Sequence, residues 1–234
     1  MSEVPRRSSL PWVLLLPEEL LLLGLHPERG GARINTRYLE YGVAGTVLAV
    51  LERAGCVEQG ERGRVQVRNP IPPPALLSGP DADPVAVRVL EGLPGPGKGR
   101  HGGIRITSYL RQARREVMGQ YLDLMVERGI LRRESKRVLG LFPVVRHPVA
   151  DGAHWTAALR ERVLVAAEHG FPGEEDRLLA GFVYATGLLR KVYPGPEGRG
   201  VKRVLKEVAR EEWFARAVEK IIASDEAAAS GGGG

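Results

Sequence analysis

The sequence predicts a mainly α-helical protein that carries one basic, two-stranded finger. Two observations lead there. Between residues 109 and 127, Leu110, Ala113, Val117, Tyr121, Leu124 and Met125 recur at steps of three and four, which places them on one helix face. The same recurrence returns over 35–54, 153–169, 174–192 and 201–221. The finger follows the long helix: Arg128 and Gly129 end it, with glycine where a left-handed cap is wanted. Residues 130–145 then read as two extended limbs around a polar tip, the second limb rich in β-branched and aromatic residues. Pro143 has no N–H to donate, which suits an edge strand or a protruding finger. Arg132, Arg133, Lys136, Arg137 and Arg146 against Glu134 make the finger basic.

In chain order, residues 1–9 are a flexible tail and 10–225 a single domain, and 226–234 are expected to be disordered. Pro17, Glu18 and Glu19 start a short helix, because proline suits its first position and carboxylates suit its positive end. Adjacent helix residues point about 100° apart, so capping is the better reading of the glutamate pair than an acid/base couple. Residues 20–25 are almost wholly apolar, so this helix should be buried. A turn at 26–31 leads to the helix at 35–54, where Gly42, Ala44 and Gly45 allow close approach of another helix. Gly55 ends it and a small ribbon occupies 56–68. An extended proline-rich link at 69–74, a short helix at 81–93 and a glycine-rich loop at 94–103 complete the first half. Gly97-Lys98-Gly99 lacks the hydroxyl residue and preceding strand of a phosphate loop and reads as linker.

Lysine and arginine number 34 against 28 aspartates and glutamates, a net charge of +6 that favours phosphate-rich partners, nucleic acid or anionic lipid. Cys56 stands alone, which excludes a disulfide framework within the chain and a multi-cysteine metal site, and fits a reducing compartment. The most apolar run, 10–25, is interrupted by Pro11, Pro17, Glu18 and Glu19, so any membrane contact is expected to be peripheral. The five histidines show no metal-ligand spacing, and no histidine is tied to Cys56 by a motif. No enzyme, cofactor or metal is expected. A cytoplasmic location is, with the protein peripheral on the cytoplasmic face of a membrane.

The blocks LLLPEELLLLGL, LERAGCV, the proline-rich link, LMVERGILRRE, VLGLFPVVRHPVAD, RLLAGFVYATGLLRKVYPG and a last helix with Trp213 come in an order that resembles the Golgi phosphoprotein 3 family, in its bacterial type. The resemblance implies a central helical bundle ringed by shorter amphipathic helices, with a protruding β-hairpin. It also implies an adaptor role: eukaryotic members bind phosphatidylinositol 4-phosphate, retain glycosyltransferases and self-associate through the hairpin. Their headgroup pocket positions fall on Asn35, Ala44, Arg115 and Met118, of which only Arg115 keeps the family's residue type. A looser anionic-lipid surface made of Arg115, Arg111, Arg114 and Arg37 is the substitute read from the helix spacing. The competing reading is a solvated face whose arginines pair with Glu116 or Asp123. On the finger, Arg137, Leu139, Leu141 and Phe142 are the residues expected to meet a membrane, a membrane-protein client or a second copy.

The alternative function is nucleic-acid binding through two winged-helix-like repeats, since LERAGCV and MVERGIL each precede a basic ribbon.

Overall fold

The computed structural model of the chain describes residues 14–98, 102–138, 142–150 and 154–231. The long predicted helix is α5 (Ile106–Glu127), and it packs along α2 (Thr36–Arg53). Helix α2 is the axis of the fold: Leu39, Val43, Val47, Leu48 and Leu51 are fully covered. Around it lie α1 (Leu16–Gly24), α4 (Pro84–Gly92), α7 (Glu174–Ala185) and α10 (Trp213–Gly231). The small residues of α2 are what let them close in. A Cβ on Gly42 would fall 2.4 Å from Thr186 Cγ2, and one on Gly45 would fall 2.8 Å from both Phe182 and Val218. Such distances are far inside van der Waals contact, so both positions require glycine.

Helix α1 is buried throughout, as its leucine run predicts. Its two glutamates do more than cap it. Glu18 accepts from the Leu15 amide at 2.9 Å, the capping role, and from Arg128 Nη1 at 2.6 and 2.7 Å. Glu19 accepts from Arg162 Nη2 at 2.7 Å on α6 (His154–Glu168). Both carboxylates are therefore buried counter-ions between elements, which adjacency in sequence did not suggest.

The ribbon forms as expected from β1 (Val57–Gly60) and β2 (Arg64–Val67), with Val57 opposite Val67. A third strand, β3 (Ile104–Arg105), pairs with β2 and is too short to carry a sequence signal. The finger is β4 (Glu134–Val138) and β5 (Phe142–Arg146), which pair only with each other among the described strands. Arg137 lies on β4 and Phe142 on β5, while Leu139 and Leu141 fall outside the described residues. The base of the finger is fastened to the 26–31 turn. The His147 amide donates to Gly30 O at 3.0 Å and the Val149 amide to Pro27 O at 2.8 Å. Gly30 has φ +64°, and a Cβ there would fall 2.3 Å from Pro148 N, so only glycine fits.

Several boundaries differ from the sequence reading. The 174–192 helix is two elements, α7 and α8 (Leu189–Val192), because Gly187 takes φ +78° between them. The final helix is also two, α9 (Pro196–Glu211) and α10, with Glu212 extended at φ −76°, ψ 107°. Pro196 opens α9, where its fixed φ suits the first helical position. The expected disordered tail is corrected as well: α10 continues through Ala227, Ala228 and Ala229 to Gly231, as alanine's helix propensity permits. The helix at 81–93 begins at Pro84, with Asp83 as its cap, and α3 (Pro74–Leu77) adds one turn to the proline-rich link.

The winged-helix form of the nucleic-acid alternative needs α2 or its echo to present a face to a groove, whereas Leu39 and residues 41–49 of α2 are buried and Tyr121 and Met125 of α5 are inaccessible.

Candidate functional site

Three helices meet where the sequence places its basic surface. Arg37 comes from the first turn of α2, Arg111, Arg114 and Arg115 from the middle of α5, and Asp225 from the far end of α10. Arg37 Nη1 and Arg111 Nη2 each lie 3.6 Å from the Asp225 carboxylate, and both guanidinium groups remain half-exposed. Tyr41 donates its hydroxyl to Asp225 Oδ2 at 2.9 Å. Burial pushes the Tyr41 hydroxyl above its usual range, and the bond to Asp225 pushes it further, so the phenol stays a donor.

Arg114 behaves differently from its neighbours. It is largely buried, pairs with Glu40 and lies 5.6 Å over the Tyr41 ring. It therefore holds α5 on α2 and is withdrawn from any ligand, a correction to its expected role. Burial, then the nearby Arg115 and Arg37, lower its affinity for its proton. Arg115 is exposed and forms no ion pair among the described residues. The predicted counter-ions for this face are also corrected. Asp123 pairs with Arg133 at the foot of the finger, and Glu116 accepts from Gln120 at 3.1 Å. The real partners, Glu40 and Asp225, come from other helices, so no local spacing could reveal them.

The Golgi phosphoprotein 3 (GPP34) family model matches residues 16–224, nearly the whole folded span. The chain belongs to the Golgi phosphoprotein 3 family. Membership agrees with the mainly helical fold and its antiparallel hairpin, and is consistent with an adaptor role. No curated protein matches the chain.

In this Golgi phosphoprotein 3 family member the positions that the resemblance assigns to a headgroup pocket take other structural jobs. Asn35 is the cap of α2, accepting from the Arg37 amide at 3.0 Å. Ala44 is fully buried and Met118 nearly so. Only Arg115 is a cation, and a single guanidinium makes fewer charge-assisted bonds to a phosphate than a cluster does. The exposed cations that gather instead are Arg37, Arg111 and Arg115. On the finger, Val144 and Val145 are exposed apolar residues. Among the described residues, no helix is long and apolar enough to cross a membrane.

Cys56 is fully buried, and burial pushes its thiol above the usual range, which disfavours the nucleophilic thiolate.

Proposed function

We propose that this chain is a non-catalytic peripheral adaptor. It meets anionic phospholipid through Arg37, Arg111 and Arg115 and uses its finger for a protein client or a second copy. The supporting observation is that half-exposed guanidinium groups from two helices converge on one carboxylate, Asp225. An anion already sits where a lipid phosphate would. Asp225 keeps the arginines in place in solution, and a membrane phosphate competes for them.

Each basic side chain near an anionic surface contributes about 1 kcal/mol. Three such side chains bind weakly, so stable attachment needs a second anchor, which is the part assigned to the finger. Recognition is expected to follow charge rather than the identity of the headgroup, since three of the four family pocket positions are not basic or aromatic here.

The test is co-sedimentation with neutral, phosphatidylinositol and phosphatidylinositol 4-phosphate vesicles at low and high salt. Binding should require anionic lipid and weaken with salt. Arg111→Ala/Arg115→Ala should lose about 2 kcal/mol, on the order of thirty-fold in affinity. Asp225→Ala frees Arg37 and Arg111, removes one negative charge, and should tighten binding by roughly fivefold. Absence of vesicle binding in the parent protein and in Asp225→Ala would sink the lipid reading.

A further inference from the structure

The first turn of α5 faces a basic cleft that the arginine surface above does not use. Arg62, Arg64, Gly103, Arg105, Ser108 and Gln112 are among the residues that line its volume of about 450 Å³. Among the described residues no carboxylate lines it. Its deepest cation is Arg64, on β2 opposite Arg105 of β3. Arg64 is only 8% exposed, yet no carboxylate pairs with it among the described residues. Its Nη1 donates to Gly103 O at 2.7 Å, while its Nε is buried without a hydrogen-bond partner. A buried charge without a counter-ion is costly. Among the described residues no carboxylate relieves it there.

Two further features point the same way. Helix α5 runs for 22 residues, its cap Arg105 makes no side-chain capping bond, and Arg105 and Ser108 at its start line the cleft. That terminus carries the positive end of the helix dipole. A second cleft of about 370 Å³ adjoins the first and shares Arg62 and Arg105 with it. It adds Thr107, Trp213, Arg216 and Lys220, and again no carboxylate among the described residues.

We propose that the cleft at the start of α5 is an anion site that takes a phosphomonoester dianion. Arg64 and the first-turn amides bind its oxygens, and Arg62 and Arg105 close the rim. Guanidinium forks match phosphate oxygens in pairs, and a dianion balances more of this charge than a carboxylate does. The space exceeds one phosphate, so the ligand carries it on a larger body. Arg216 and Lys220 in the adjoining cleft suit a second phosphoryl group.

Calorimetry on the full chain tests this, with inorganic phosphate and pyrophosphate as probes. Binding is expected for both, tighter for pyrophosphate. Arg62→Ala/Arg105→Ala, two exposed positions, should weaken it by about tenfold or more. Arg64→Gln should abolish it; because Arg64 is buried, a melting curve accompanies that variant, and the exposed pair carries the test if it fails to fold. Arg203→Ala, on an 87% exposed side chain of α9, should change nothing. No heat for the parent protein, or equal weakening by Arg203→Ala, overturns the site. Vesicles distinguish the source of the phosphate. Phosphatidic acid exposes a phosphomonoester and phosphatidylserine at matched charge does not. A preference for phosphatidic acid that Arg62→Ala/Arg105→Ala removes assigns a lipid headgroup. Pyrophosphate binding without that preference assigns a soluble phosphate ester. Because the readout is free phosphate, failure of the Arg37–Arg111–Arg115 surface to bind vesicles leaves this result untouched.

Discussion

Arg162→Met should unfold at markedly lower urea than the parent protein, with a loss of about 3–5 kcal/mol. The residue ties three elements. Its Nη2 lies 2.7 Å from Glu19 of α1 and its Nε 2.7 Å from Asp176 of α7, while Arg162 itself belongs to α6. The Glu19 side chain is 1% exposed. Removing the arginine takes the Arg162 guanidinium away from a carboxylate held in the core. The penalty comes from that buried charge more than from any net strength of the pair. The double variant Glu19→Leu/Arg162→Met, which removes both charges, should therefore recover much of the loss. A double variant no more stable than Arg162→Met would mean that packing, not charge, dominates the site.

Asp83→Ala should cost about 2–4 kcal/mol, from a lost helix cap and a stranded hydroxyl. Asp83 is fully buried. Its Oδ1 accepts from the Val85 and Ala86 amides at 3.1 and 2.9 Å, capping α4. Tyr121, fully buried on α5, donates its hydroxyl to Asp83 Oδ2 at 2.7 Å. Burial, the largest influence, raises the Asp83 carboxyl above the usual range, against the pull of those donors and Arg128. The folded state thus holds this proton more tightly than the unfolded chain. The stability this contributes is complete below the unfolded value near 3.8 and is lost as pH rises through the higher folded value. Asp83→Asn keeps an oxygen for the cap and cannot titrate, so its stability should be flatter over that window. Urea midpoints from pH 3 upward would check this; parallel curves for the two proteins would exclude Asp83 as the source of the slope.

The helices were legible because their apolar spacing is local. Leu110, Val117, Tyr121 and Met125 face the core as the three-four recurrence requires. Gly129 at φ +71° ends α5 where a glycine stop was expected. The close approach at Gly42 and Gly45 was also readable, since small residues within a helix have few other uses. Boundaries were less legible. Glu212 breaks the last helix without glycine or proline, so no residue type announces it. The reverse holds at Ala227–Gly231, where a run of small residues suggests disorder while its alanines extend α10.

The arginine face marks the limit most clearly. Spacing on α5 correctly put Arg111 and Arg115 on exposed helix surface. It could not say that Arg114 turns inward to Glu40, or that Asp225, more than a hundred residues away, sits against Arg111. The same holds for Arg64, which no spacing singles out and which β3 pairs beside and the start of α5 borders only in the fold. The sequence by itself determined which segments are helical, which faces are apolar, and the order of blocks that marks the family. Tertiary structure alone decided which charges are paired, buried or left open. Apolar periodicity is a property of neighbours along the chain, whereas an ion pair depends on where distant helices bring their side chains, and desolvation then fixes what each charge can do.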